Sequence, residues 1–175
     1  LAGAASGSVS SRAMDTLRLH ASCAVLDGRA VLLRGASGAG KSDLLLRLIV
    51  EAGAGLVADD QVLLERHGDA LRARAPAALA GVLEARGVGL LRLPAAGPAP
   101  VALLADLGDA PQRLPEPADE TLLGCRLRRV EIDPRAASAV AKLQLALGAR
   151  GATILPADWH PAAPAESGSD REDTR

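Results

Sequence analysis

The sequence predicts an α/β domain built on a mixed β-sheet. Three observations carry that expectation: short apolar runs bounded by turn residues, a glycine-rich loop joining one such run to an amphipathic helix, and a helix-start signal at Asp133-Pro134. At 175 residues the chain has the size of one domain. Its hydrophobic fraction of 49% supplies a core, drawn mainly from Ala and Leu. With no Phe, no Tyr and one Trp, it lacks the aromatic platforms on which single-strand binders stack bases. Twenty basic against 21 acidic residues leave a net charge of −1, which excludes a general polyanion binder.

In order along the chain, residues 17–26 read as a strand and Asp27-Gly28 as a turn. Residues 29–34 form a second apolar strand, completing a hairpin. Residues 35–40 are a glycine-rich loop. Residues 41–52 place Leu44, Leu45, Leu48 and Ile49 at helical spacing, and Gly53 and Gly55 end that helix. Residues 56–58 make a short buried strand running into Asp59-Asp60. Residues 62–66 and 70–74 flank a hairpin tip at His67-Gly68-Asp69. A connector (76–81), an apolar stretch with two glycines (82–93) and a Pro/Gly/Ala linker (94–100) follow. Residues 101–107 and 126–132 are strands, the latter read as an edge protected by Arg126, Arg128 and Arg129. Asp133 as N-cap and Pro134 in the first turn start a helix to about residue 147.

The termini read differently from this middle. Residues 1–14 are small and polar and read as disordered, with Met14 a candidate start. Residues 156–175, with Trp159 and His160, read as a disordered tail. No secretory h-region and no 18-residue apolar run is present. Cys23 and Cys125 lack metal-ligand spacing and read as reduced core thiols, so a cytoplasmic protein with no membrane span and no nucleic-acid partner is expected.

The chemistry concentrates at Gly35-Ala36-Ser37-Gly38-Ala39-Gly40-Lys41-Ser42, which fits G-x-x-x-x-G-K-[ST] at every fixed position. Glycines let backbone N–H groups turn inward around phosphate oxygens, and the following helix adds its N-terminal dipole. Lys41 brings a point charge to the β- and γ-phosphates, and Ser42 a hydroxyl for Mg²⁺. Lys41 is one of only two lysines beside 18 arginines, so its position is informative. Asp59-Asp60, at the next strand end, supplies the carboxylates such a loop needs: one for the metal, one to accept a proton. ATP with magnesium is therefore the expected cofactor pair.

His20, this loop, Ala58-Asp59-Asp60 and Leu83-Glu84-Ala85-Arg86-Gly87-Val88-Gly89-Leu90-Leu91, in that order, resemble the bacterial HPr kinase/phosphorylase family in its short form, covering about residues 20–147. The resemblance implies a P-loop kinase core like the nucleotide-binding core of phosphoenolpyruvate carboxykinase, occupying residues 15–155. It implies a serine protein kinase, a transferase acting on an HPr-like phosphocarrier protein of the sugar phosphotransferase system. It also implies the reverse phosphorolysis and a homo-oligomer, typically a hexamer. By position it makes Asp59 the general base, poised by His20, with Lys41 on the phosphates. It places Ser42, Asp60 and Glu84 at the metal and Arg86 beside them. Asp43 stands where the family has Glu, and the family's Pro/Gly/Arg-rich second motif is reduced to Asp133-Pro134-Arg135-Ala136-Ala137. Two other readings compete. A small-molecule P-loop kinase would use arginines of the 126–135 region as a lid, and a non-catalytic nucleotide sensor would have no use for a base.

Overall fold

The structure, a computed structural model, describes residues 15–156 and Asp158. The expectations for residues 1–14, and for Trp159 and His160 in the tail, lie outside the described residues. Ten strands and two α-helices run in the order β1 (Thr16–Leu26), β2 (Arg29–Arg34), α1 (Lys41–Ala52), β3 (Gly55–Ala58), β4 (Gln61–His67), β5 (Ala70–Arg74), β6 (Val82–Ala85), β7 (Gly89–Arg92), β8 (Ala99–Leu107), β9 (Ala118–Leu122), β10 (Cys125–Ile132) and α2 (Ala139–Ala146).

The expected mixed sheet is present and is larger than the sequence suggested. One layer has the order β3-β1-β2-β8-β10-β9, with β8 parallel to both β2 and β10 and the other pairs antiparallel. The long strands β1 and β8 also belong to a second layer, β1-β4-β5-β8, which is antiparallel throughout. The first layer therefore has two covered faces. Successive residues of a strand point to opposite faces, so Leu33 and Leu103 join Leu44, Leu48 and Leu143 of the helices, while Leu32 and Leu104 join Leu64 and Leu71 of the second layer. Burial on both faces is why residues 31–33 and 103–105 read as unbroken apolar runs rather than alternating ones.

This topology gathers several chain ends. Because β2, β8 and β10 are parallel, their C-terminal ends share one edge, and β3 ends there too. The glycine-rich loop leaves β2, Asp59 leaves β3 and Asp133 leaves β10 at that edge. Ligands of open α/β sheets sit outside such strand ends.

Four expectations need correction. Residues 82–93 are a hairpin, β6–β7, forming its own two-stranded sheet. Gly81 closes its base with a φ of 73°, and a Cβ there would collide with the Leu93 carbonyl oxygen. Strand β9 was not anticipated, and by pairing with β10 it makes β10 an internal strand rather than an edge. The hairpin tip after β4 is Gly68-Asp69, with His67 still in the strand, paired to Ala70. Finally, α2 starts at Ala139, not after Asp133. The Asp133 side chain accepts from Arg135 N–H at 2.9 Å and its carbonyl from Ala136 N–H at 3.2 Å, which closes a turn. The carbonyls of Pro134, Ala136 and Ala137 accept from Arg47, and that of Ala136 also accepts from Ala139 N–H at 3.0 Å, where α2 begins.

Candidate active site

The glycine-rich loop is tied to its own lysine. Lys41 is 6% exposed, and its Nζ donates to the carbonyls of Gly35 and Ala36, each at 3.0 Å. Ala39 N–H donates to the Ala36 carbonyl at 3.1 Å. Gly40 holds a φ of 94° at the N-cap of α1, a conformation that suits glycine and few other residues. The helix begins at Lys41 and turns its N-terminus toward the loop.

The two adjacent acids have different surroundings. Asp59 is 8% exposed, and burying a carboxylate is costly unless its oxygens are hydrogen-bonded. Its Oδ1 accepts from Ser22 Oγ at 2.7 Å, Ser42 Oγ at 3.0 Å and Asp60 N–H at 3.0 Å, and its Oδ2 from Glu84 N–H at 3.4 Å. Asp60 faces out, its side chain 64% exposed. It carries a φ of 61° in a tight turn in which Gln61 N–H donates to the Asp59 carbonyl at 2.7 Å. Left-handed backbone at a residue other than glycine stores strain, and such strain collects at functional sites.

His20 joins the two halves. Its Nε2 lies 3.1 Å from Lys41 Nζ, and its Nδ1 lies 3.1 Å from both the carbonyl and Oδ1 of Asp60. An ammonium can only donate, so Nε2 accepts and the ring proton sits on Nδ1, aimed at Asp60.

These groups open on a cleft of about 270 Å³ lined by His20, residues of the loop, Lys41, Ser42, Asp60, Glu84 and Arg86. The β6–β7 hairpin brings in Glu84 and Arg86, both exposed, as the wall facing the loop. Of the residues the sequence singled out, His20, Lys41, Ser42, Asp60, Glu84 and Arg86 thus share one cleft. Asp59 lies behind its wall, on Ser42. Ser22 escaped the sequence reading. Its signal was a second polar residue two positions from His20, on the same face of β1.

Hydroxyl and carboxylate oxygens at Ser42, Asp59, Asp60 and Glu84 are hard donors of the type Mg²⁺ takes. No group of three or more His, Cys, Asp or Glu side chains with metal-holding geometry occurs among the described residues. Magnesium bound through one or two carboxylates, water and phosphates does not need one.

A charged network lies at the same sheet edge, unforeseen in the sequence. Arg34, the residue before the loop, forks onto Asp106 at 2.6 and 3.0 Å and onto Glu120 at 2.6 and 2.7 Å, and Arg129 also reaches Asp106. Burial alone would raise the Asp106 carboxyl, but the guanidiniums of Arg34 and Arg129 outweigh it and hold it below its usual range. The Arg34 hydrogen bonds lower Glu120 likewise. Arg126 pairs with Asp119, while Nε of Arg128 is buried without a partner among the described residues. Cys23 and Cys125 are free and buried as expected, and burial pushes the Cys23 thiol far up.

Residues 12–96, which hold every motif above from His20 to Leu91, match the family model described as HPr Serine kinase C-terminal domain. Residues 12–96 belong to the HPr kinase family. Three curated HPr kinase/phosphorylases agree. The protein of Nitrosomonas europaea is 48% identical over 67 residues, 38% of this chain and 20% of that protein. That of Burkholderia cenocepacia is 54% identical over 65 residues, 37% of this chain and 20% of the other. That of Clostridium novyi is 40% identical over 78 residues, 45% of this chain and 25% of the other. The matches therefore span a fifth to a quarter of these relatives. The solved HPr(Ser) kinase/phosphatase of Coxiella burnetii superposes with a TM-score of 0.65 at 24% identity, covering 73% of this chain and 91% of that one, and so shares the HPr kinase fold. No helix among the described residues is long and apolar enough to cross a membrane.

Proposed function

We propose that the chain is the ATP- and magnesium-dependent catalytic unit of a serine protein kinase acting on an HPr-like phosphocarrier protein. The observation that carries this reading is the line Lys41–His20–Asp60, which runs from the loop to an exposed acid in one cleft. Loop N–H groups and Lys41 bind the β- and γ-phosphates, exchanging the carbonyls of Gly35 and Ala36 for phosphate oxygens. Ser42 and a carboxylate would hold Mg²⁺, which would supply positive charge against the negative charge developing on the phosphates.

The geometry favours the reverse of the division of the acid pair that the family resemblance implies. Asp59 touches Ser42 and has its oxygens occupied by donors, which suits the metal side. Asp60 is exposed to an incoming hydroxyl and oriented by His20, which suits the base. In transfer, Asp60 takes the serine proton, the serine oxygen bonds to the γ-phosphorus, and the bond to the β–γ bridging oxygen breaks to leave ADP. In phosphorolysis, inorganic phosphate takes the phosphoryl group from phosphoserine, the serine oxygen regains the proton, and pyrophosphate leaves. The remainder of the reading is a core of the phosphoenolpyruvate carboxykinase type, a hexameric assembly and a cytoplasmic location.

The test is to incubate the protein with γ-labelled ATP, Mg²⁺ and HPr, assay phosphoserine, then add phosphate and assay pyrophosphate. Labelled HPr is the expected result. Nucleotide binding with no labelled protein would move the assignment to a small-molecule kinase or a nucleotide sensor.

A further inference from the structure

Arg47 lies on α1 and lines no part of the cleft. Its guanidinium crosses to the turn after β10. Nη1 donates to the Pro134 carbonyl at 3.0 Å and to Ala136 at 3.5 Å, and Nη2 donates to Ala137 at 3.3 Å. Nε donates to Glu51 at 3.1 Å, one helical turn on, which aims the fork. The turn so held lies beside the loop: Pro134 is buried, and a Cβ built on Gly40 would meet its Cγ at 3.3 Å and its Cβ at 3.4 Å, so the ring leaves room there for little more than a glycine.

We infer that Arg47 is a positioning residue for phosphate binding, acting through Pro134 on Gly40, an inference that rests on the nucleotide-binding reading above. Glycine has the widest backbone freedom of any residue, and freedom left in the unbound loop must be lost when phosphate binds. Within loop and helix the loop is held by few bonds, those from Ala39 N–H, from Lys41 Nζ and from Leu44 N–H to the Gly40 carbonyl at 3.0 Å. A proline ring against Gly40 supplies a wall from outside the loop. Arg47 fixes that wall to the helix the loop launches, so loop, helix and turn become one unit. A guanidinium fork spans three carbonyls at once, which the compact ammonium of lysine does not.

The experiment measures ATP affinity by calorimetry, well below the melting temperature, for the wild-type chain and for Arg47→Ala, Arg47→Lys, Pro134→Gly and the Arg47→Ala/Pro134→Gly pair. Circular dichroism verifies that each is folded. Arg47→Ala is expected to raise the Kd for ATP about tenfold, Arg47→Lys to recover part of that, and Pro134→Gly to match Arg47→Ala. The double variant should bind no worse than the weaker single one, because both changes remove the same wall. A lowered melting temperature with unchanged Kd, or additive losses in the double variant, would overturn the inference and leave the nucleotide-binding reading standing. A wild-type chain that binds no ATP would overturn both.

Discussion

Nε2 of His20 and Nζ of Lys41 lie 3.1 Å apart, so a strand residue and a loop residue share a hydrogen bond at the centre of the cleft. The other ring nitrogen holds Asp60 at the same distance. The imidazole therefore couples the Lys41 charge to the proposed base, and under the proposed phosphate binding a displacement of Lys41 would free Nε2. His20→Ala is expected to lower kcat for phosphotransfer about a hundredfold while changing the Kd for ATP little, because the loop and Lys41 remain. Single-turnover transfer measured beside ATP calorimetry separates the two effects, and an equal loss in both would remove His20 from the proton path.

The acid pair gives a sharper contrast. Asp60→Asn keeps a side chain that tolerates left-handed backbone, so ATP binding and stability should persist while transfer falls by about 10³-fold. Asp59→Asn instead places an amide among the hydroxyls of Ser22 and Ser42 and two backbone N–H groups, leaving buried donors facing donors. It should cost about 2 kcal/mol of stability and weaken magnesium-dependent ATP binding. Urea midpoints and ATP titrations with and without Mg²⁺ distinguish the pair. Loss of stability at Asp60 rather than Asp59 would contradict it.

Backbone strain at Asp60 allows an independent check. With φ at 61°, glycine fits this turn better than aspartate does. Asp60→Gly should raise the unfolding free energy by about 0.5–1 kcal/mol while abolishing transfer, a gain of stability at the expense of activity. Chemical denaturation reads the gain directly.

Much of this site is visible in the sequence because its parts are local. Residues 35–42 need only a strand before them and a helix after, and β2 and α1 occupy residues 29–34 and 41–52 as the apolar spacing indicated. Elements defined by distant partners were not legible. Gly87 and Gly89 interrupt an apolar stretch, and only contact of Leu83 with the helix-side core reveals which face of that hairpin is inward. Strand β9 alternates weakly in Ala118-Asp119-Glu120-Thr121-Leu122, and Arg34, 86 residues away, is what engages Glu120. Where the helix was expected after Asp133, the chain makes a turn whose carbonyls accept from Arg47, 87 residues before Pro134, a partnership no local propensity encodes.

The Arg34 network sets a pH response. Asp106 and Glu120 are both held below their usual carboxylate range in the folded chain. A group with a depressed folded pKa contributes stability above its unfolded value, near pH 4, and loses it as pH falls through the lower folded value. Acid should therefore unfold the protein progressively below about pH 4. Asp106→Asn should be less stable at pH 7 by about 2 kcal/mol and should show a flatter acid limb. Stability measured from pH 7 to pH 2 tests this, and identical limbs would remove Asp106 from the acid transition.

The core between the two sheet layers backs the candidate site, with Ala21 and Ala58 next in the chain to His20 and Asp59. Leu104 is fully buried there, on β8 between β2 and β10, and the chain offers no Phe or Tyr that could repack around a loss. Leu104→Ala should cost about 3 kcal/mol through lost transfer energy and a residual cavity. Leu114 is 71% exposed, and its truncation should cost less than about 0.5 kcal/mol. Because α1 and the loop pack on the opposite face of β2, the Leu104 variant should keep its ATP affinity wherever it remains folded. Melting curves and calorimetry at 15 °C below the variant's midpoint, roughly the margin needed for a fully folded population, make the comparison. A parallel fall in affinity would mean that the inter-sheet core, and not only the helix-side core, fixes the edge from which the loop and Asp59 emerge.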